Sequence, residues 1–139
     1  MAAVAAALRS RIDPHLPRAT GRSEWTQVDL LALAMAAHQE LAREFNCEAV
    51  MFYKSMESGP HPLVRLTPGA QAVDLDMAAD RFGSDRIRVG ARDQLYPDTP
   101  DTVPFVSADV YNEIYQDVAA IIKRAGLSLN ETRDGRPVL

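Results

Sequence analysis

The chain has 139 residues, of which 47% are apolar and 24% are charged, and its formal net charge is −4. This length suits one domain, the apolar content excludes a wholly disordered protein, and the negative charge argues against a dedicated nucleic-acid binder. A single cysteine, Cys47, excludes an intrachain disulfide. The Ala-rich start is followed by arginines, the wrong order for a signal peptide, and no apolar run is long enough to span a membrane. We therefore expect the protein to be cytoplasmic where it is made.

The charge is distributed unevenly along the chain. Residues 1–22 contain four arginines and one acidic residue, a balance of +3, whereas the remainder has a balance of −7. This asymmetry suits a basic N-terminal segment that meets an acidic partner, such as a second copy of the chain. Solvated surface charges are an equally good explanation.

Two helices are predicted in the first third of the chain. Residues 2–12 form a short Ala-rich pattern that ends before Pro14. Residues 26–45 are the longest periodic segment, with apolar residues at spacings of three and four. This apolar stripe consists of Leu30, Leu33, Ala34, Ala37, Leu41 and Phe45.

The start of the second helix has a local signature. Thr26 is a suitable N-cap, and Asp29, three residues later, is the acidic member of a capping box. Trp25 and Leu30 have the spacing of a hydrophobic staple. These four residues predict a helix that begins directly after Thr26.

Residues 47–58 have an ambiguous pattern. Val50, Phe52 and Tyr53 favour a strand, whereas Glu48 and Met51 favour a helix. We expect the helix to continue here, with a strand as the alternative.

Alternating residues predict a small sheet after this segment. Residues 63–67 and 70–76 alternate and flank Pro68-Gly69, which predicts a β-hairpin. Residues 85–92 alternate again, and residues 93–105, with three prolines, predict an irregular loop.

The last predicted helix covers residues 107–125, with Ser107 as N-cap and Gly126 at the C′ position. The predicted fold class is α+β: a mainly helical domain of residues 1–126 with a long central helix, a small antiparallel β insert at 63–90, and a C-terminal arm at 127–139. Within that arm the apolar and basic side chains are expected to contact a partner, with a surface hairpin on the same domain as the alternative. These interface residues are Leu127, Leu129, Arg133, Arg136, Val138 and Leu139.

No catalytic, metal or cofactor site is predicted. The spacing of Asp74, Asp76, Asp80 and Asp85 resembles a calcium loop, but Ala occupies the position where that loop requires Gly. Asp74 and Asp76 are better explained as the solvent-facing side of a strand. Phosphate-binding, nucleophile-elbow and zinc motifs are absent from the sequence.

The order of these elements resembles the head-to-tail adaptor (connector) proteins of tailed bacteriophages. In that family a helix that opens W-[ST]-x-x-[DE]-L-L precedes a strand, a glycine turn and a second strand. The matching residues are Trp25, Thr26, Asp29, Leu30, Leu31, Gly69, Val73 and Leu75. The resemblance covers about residues 22–90. Leu75-Asp76 departs from the usual Leu-Pro, and residues 47–62 lengthen the link between helix and hairpin.

The resemblance implies a non-enzymatic structural protein of the virion neck or tail, made in the host cytoplasm. It would form a ring, typically of twelve copies, that binds the portal and the tail or nozzle proteins. Packaged DNA would pass through the ring without sequence recognition, and no membrane or cofactor is involved. The alternative from another class is a small protein-binding or regulatory module without catalytic activity.

Substitutions at the start of the second helix test the predicted cap and staple. Trp25→Ala should lower the free energy of unfolding by about 3 kcal/mol, because large aromatic truncations cost about 3–5 kcal/mol. Thr26→Ala should lower it by about 1 kcal/mol through loss of the cap. Urea unfolding measures both values, and negligible changes in both variants would place the helix start elsewhere.

Overall fold

The computed structural model describes residues 1–21, 24–103 and 108–129. The described residues form three α-helices and five β-strands. In chain order these are α1 (Ala2–Ile12), α2 (Gln27–Glu44), β1 (Glu48–Met56), β2 (Gly59–Thr67), β3 (Val73–Asp76), β4 (Arg88–Ala91), β5 (Asp101–Thr102) and α3 (Ala108–Arg124). Short 3₁₀ turns occur at Asp13–His15, Pro17–Thr20 and Ala79–Arg81.

The five strands form one antiparallel sheet in the order β4-β3-β2-β1-β5. Helix α2 packs on β1 and β2, and both α1 and α3 pack against α2. The apolar core lies between α2 and the sheet, because that face carries the hydrocarbon side chains. On the sheet these are Ala49, Met51, Val64, Leu66 and Leu75.

The predicted mainly helical domain with a long central helix is wrong. About 45% of the chain is helical and 23% lies in strands, so the sheet is a full layer of the domain. The strands extend from Glu48 to Thr102 and exceed the predicted insert at 63–90. Helix α2 covers one face of this sheet.

Helix α2 ends in a Schellman motif at Asn46. The amides of Asn46 and Cys47 donate to the carbonyl oxygens of Arg43 and Ala42, at 3.3 and 3.0 Å. Asn46 has a φ of 47°, a left-handed conformation that asparagine tolerates better than most residues. Because the helix is closed there, the predicted continuation through residues 47–58 is wrong, and these residues pair with β2 instead.

The capping box at the start of α2 is present. The Thr26 hydroxyl accepts from the Asp29 amide, and an Asp29 carboxylate oxygen accepts from the Thr26 amide at 2.8 Å. Leu30 is fully buried in the core. The half-buried Trp25 ring packs against the core, and the guanidinium of Arg18 stacks 3.8 Å from its centroid.

Helix α3 also ends in a Schellman motif, at Gly126, whose φ is 77°. Arg11 donates to the carbonyl oxygens of Ala125 and Gly126 and so caps this end from α1. Leu127 and Leu129 pack against the core, and the Gln39 amide donates to the Ser128 carbonyl oxygen. The first three residues of the predicted arm therefore lie on the domain; residues 130–139 are outside the described residues.

Arg9 ties α1 to the segment that follows β3. Its side chain is only 2% exposed and donates to Asp13, to both carboxylate oxygens of Asp80 at 2.6 and 2.9 Å, and to the carbonyl oxygens of Met77 and Arg86. Burial lowers the pKa of Arg9, but the bonds to Asp80 and the nearby Asp13 charge raise it further than burial lowers it. The cation is thus a structural clamp.

These contacts change the interpretation of the basic N-terminal segment. Arg9 and Arg11 bind groups of the same chain, and Arg18 stacks on Trp25. The three arginines therefore stabilise the fold, and Arg22 lies outside the described residues. Most of the positive charges in residues 1–22 therefore contact groups of the same domain.

Replacing Arg9 with Met should lower the free energy of unfolding by about 3–5 kcal/mol, because Asp80 and the buried carbonyl oxygen of Met77 lose their partner. Arg43→Met is the matched control, since Arg43 is exposed and its ion pair with Glu40 is long, at 3.4 Å. The control should lose less than about 1 kcal/mol. Chemical unfolding of both variants gives the comparison, and equal losses would show that Arg9 is not a clamp.

Candidate functional site

The face of the sheet turned away from the helices carries a layer of polar and aromatic side chains. The register places Lys54 opposite His61 and Arg65 opposite Asp74 on this face. We call this set the outer polar layer. Its members on the strands are Phe52, Lys54, His61, Leu63, Arg65, Asp74, Asp76 and Arg88.

His61 and Asp76 form a buried pair at the centre of this layer. Both side chains are 0% exposed, and His61 Nε2 lies 2.9 Å from each carboxylate oxygen of Asp76. Arg81 Nη1 lies 3.2 Å from His61 Nδ1. Since a guanidinium can only donate, Nδ1 is the acceptor and Nε2 carries the hydrogen that is donated to Asp76.

Asp76 has two further donors. The Tyr96 hydroxyl donates to Oδ2 at 2.5 Å, and the Ala78 amide donates to Oδ1 at 2.9 Å. Burial raises the pKa of Tyr96, and the charge of Asp76 raises it further. Burial lowers the pKa of Arg81, and Asp76 opposes that effect. The carboxylate is therefore enclosed and fully hydrogen-bonded, which is a structural arrangement.

A second buried carboxylate, Asp74, is paired with Arg65. Two parallel bonds of 2.7 and 2.9 Å join them, and the same guanidinium binds Asp93 at 2.8 Å. The bonds to Asp74 raise the pKa of Arg65, and burial opposes the rise. Bidentate pairs of this kind are among the strongest side-chain hydrogen bonds.

Residues 92–100, which we call the strap, cover the outer polar layer. Asp93 binds Arg65, Tyr96 binds Asp76, and the Thr99 carbonyl oxygen accepts from Lys54 at 3.1 Å. Leu95 is buried against β4. Asp93 and Tyr96 have φ values of 64° and 53°, so both anchors are held in a left-handed conformation by these contacts.

Asp74 and Asp76 were expected on the solvent-facing side of a strand, and that prediction is wrong, since both are buried. Asp74, Asp76 and Asp80 are already bound to Arg65, His61 and Arg9, so three of the four aspartates of the calcium-like spacing have protein partners. Among the described residues, no group of three or more His, Cys, Asp or Glu side chains is placed to hold a metal ion.

An open groove lies beside this layer. It has a volume of about 740 Å³ and is lined by Glu24, Trp25, Met56, Glu57, Ser58, Arg81 and Phe82. The Phe82 ring is 44% exposed on the groove side and packs edge-on against His61, with a centroid distance of 4.9 Å. Arg81 donates to the Ser58 carbonyl oxygen at 2.9 Å, so the outer polar layer holds one wall of the groove in place.

The groove combines an apolar floor with an acidic rim. Trp25, Met56 and Phe82 supply the apolar surface, and the exposed side chains of Glu24 and Glu57 stand at its edge. Neither carboxylate forms an ion pair with another described residue. This chemistry suits an extended peptide that carries apolar and cationic side chains.

The structure places the predicted site residues in three groups. Trp25 lines the groove, Thr26 and Asp29 form the cap, and Leu30 is in the core. Leu127 and Leu129 lie on the domain. The remaining interface residues, Arg133, Arg136, Val138 and Leu139, are outside the described residues.

Sequence reasoning missed the other groove residues. Met56 is the last residue of β1, Arg81 and Phe82 lie at the end of the 3₁₀ turn after β3, and no short-range spacing links them to Trp25. The available signal was an exposed aromatic in a Gly-Ser-rich turn, at Phe82-Gly83-Ser84.

Comparisons of this chain with protein-family models, with curated proteins and with solved structures find no match. None of the helices in the described ranges is both long enough and apolar enough to cross a membrane.

Replacing Tyr96 with Phe should change how stability depends on pH. The pKa of Tyr96 is raised above its unfolded value of about 10, so between pH 10 and 12 the unfolded chain loses a proton that the folded chain keeps. The free energy of unfolding of the wild type should therefore fall as pH rises, by at most about 1.4 kcal/mol per pH unit from this group.

In Tyr96→Phe this part of the slope should disappear, and stability near pH 8 should fall by about 1–2 kcal/mol through the lost hydrogen bond. Tyr111→Phe, which leaves Asp76 untouched, is the control and should keep the part of the slope that comes from Tyr96. Urea unfolding across this pH range measures it, and identical slopes in the wild type and Tyr96→Phe would contradict the raised pKa.

Proposed function

We propose that this chain is a structural virion protein that resembles the head-to-tail adaptors of tailed bacteriophages. Copies of the chain form a ring in the neck of the virion, bound by the portal on one side and by tail or nozzle proteins on the other. Packaged DNA passes through the ring without sequence recognition.

The observation that carries the proposal is the packed unit of α2 and the β2–β3 hairpin. The residues behind the resemblance, Trp25-Thr26 and Asp29 to Leu31, open α2 with a complete capping box. The hairpin that contains Leu66 and Val73 pairs in register, and β2 lies directly on α2. The sequence pattern of the family thus corresponds here to one contiguous piece of structure.

The remaining strands distinguish this chain from that pattern. Strand β1 occupies the insert between helix and hairpin, and β4 and β5 extend the sheet at its two edges. The added strands widen the sheet and so increase the surface that neighbouring copies can contact. They are compatible with assembly, although the family pattern alone does not require them.

The buried ionisable side chains are bound to one another, which favours a structural role over a catalytic one. His61 and Asp76 are enclosed, Asp74 is bound by Arg65, and Asp80 is bound by Arg9. A general acid or base must reach its substrate within hydrogen-bond distance. These groups instead hold the strap and the segment after β3, and the exposed groove offers a binding surface.

The mass of the protein in solution tests the proposal. We expect the purified chain, alone or with the portal protein of the same genome, to form a closed ring. Twelve copies of the 15.3 kDa chain have a mass of about 184 kDa. Light scattering coupled to gel filtration measures this mass, and electron microscopy of the same fraction shows whether it is a ring.

A chain that stays monomeric at high concentration and does not bind the portal would contradict the proposal. That result would favour the alternative function, a small protein-binding or regulatory module, because the groove is accessible in a single copy.

A further inference from the structure

We infer that the groove of one copy holds the segment 130–139 of a neighbouring copy. We call this segment the tail. The inference rests on the proposed ring and names the contact that builds it: a strand-like peptide from one protomer, seated on Trp25, Met56 and Phe82 of the next.

The groove defines the chemistry of its occupant. An apolar floor of two aromatic rings and a methionine requires apolar side chains, because exposed patches of this kind are commonly interaction sites. The carboxylates of Glu24 and Glu57 at the rim favour cationic side chains beside them. Arg81 is already bound to the Ser58 carbonyl oxygen and to His61, so it serves as a wall of the groove.

The tail has the matching composition. Residues 130–139 read N-E-T-R-D-G-R-P-V-L, in which both acidic residues precede the last four residues, R-P-V-L, and these four carry a cationic side chain and no acidic one. Val138 and Leu139 supply the apolar side chains, and Pro137 favours an extended backbone that costs little entropy to order. The end of the tail in a second copy therefore offers the cationic and apolar side chains that the groove favours.

The groove lies at the N-terminal end of α2, and the tail starts beside the C-terminal half of the same helix. The chain enters the tail after Leu129, beside Gln39, whose amide donates to the Ser128 carbonyl oxygen. The groove begins at Trp25, which precedes the first turn of α2. Gln39 is fourteen positions after Trp25, which corresponds to about 21 Å along the helix axis at 1.5 Å per residue.

Because the start of the tail and the groove lie at different places on the domain, a tail bound in the groove of a neighbouring copy makes a head-to-tail contact. Such heterologous contacts generate a ring when the rotation between copies closes, as the proposed function requires. An extended segment of ten residues spans at most about 33 Å, so the tail is also long enough to reach the groove of its own chain. The test must separate these two arrangements.

Charge reversal in the full-length chain separates them. One variant carries Glu24→Arg and Glu57→Arg in the groove, and the other carries Arg133→Glu and Arg136→Glu in the tail. We expect each variant alone to self-associate at least tenfold more weakly than the wild type in sedimentation experiments, because like charges then face each other. Mixing the two variants should restore assembly. The positive groove of the first variant then binds the negative tail of the second, and the unchanged groove of the second binds the unchanged tail of the first.

The control is Glu48→Arg with Glu113→Arg. It changes the net charge by the same amount at exposed positions outside the groove, and it should assemble like the wild type. Thermal melting checks that every variant is folded. Trp25 is the only tryptophan, so its fluorescence reports on groove occupancy and should depend on protein concentration as assembly does.

Three results would overturn the inference. If neither reversal weakens assembly, the ring uses other surfaces, and the proposed function stands without this contact. If the mixed variants stay apart while one chain carrying all four changes regains the wild-type fluorescence at every concentration, the tail occupies its own groove. If the wild type does not assemble at all, both the ring and this contact are wrong.

Discussion

The outer side of this protein depends on one buried carboxylate, that of Asp76. It accepts hydrogen bonds from His61 on β2, from Tyr96 in the strap and from the Ala78 amide. A buried carboxylate without partners would be costly, so each of these donors stabilises the folded chain. The carboxylate thereby fixes three separate segments with respect to one another.

The segment after β3 is held from its other side by Arg9. The guanidinium binds Asp80 and the Met77 carbonyl oxygen, while the side chain of Arg81 in the same turn reaches His61. Residues 77–82 are therefore clamped between α1 and the outer polar layer. This double attachment keeps Phe82 exposed at the edge of the groove, where an unsupported loop would be free to bury it.

The groove is consequently a product of three distant parts of the chain. Trp25 is positioned by the cap of α2, Met56 by the turn between β1 and β2, and Phe82 by the clamped segment. The contacts that position these three residues are separate from the surface that they expose in the groove. The exposed glutamates at the rim can therefore change in charge without loss of the fold. That separation is a common property of binding surfaces built on a rigid scaffold.

Sequence alone determined the features that depend on a few neighbouring residues: the capping box at Thr26, the helix end at Gly126 and the hairpin around Pro68-Gly69. Their partners lie within five or so residues or across one turn, so spacing is sufficient to identify them. The tertiary structure decided the strand at 48–56 and the burial of Asp76. The strand depends on pairing with β2 after α2 is closed at Asn46, and Asp76 depends on partners 15 and 20 residues away, His61 and Tyr96. Such contacts are set by register and packing, which local periodicity does not encode.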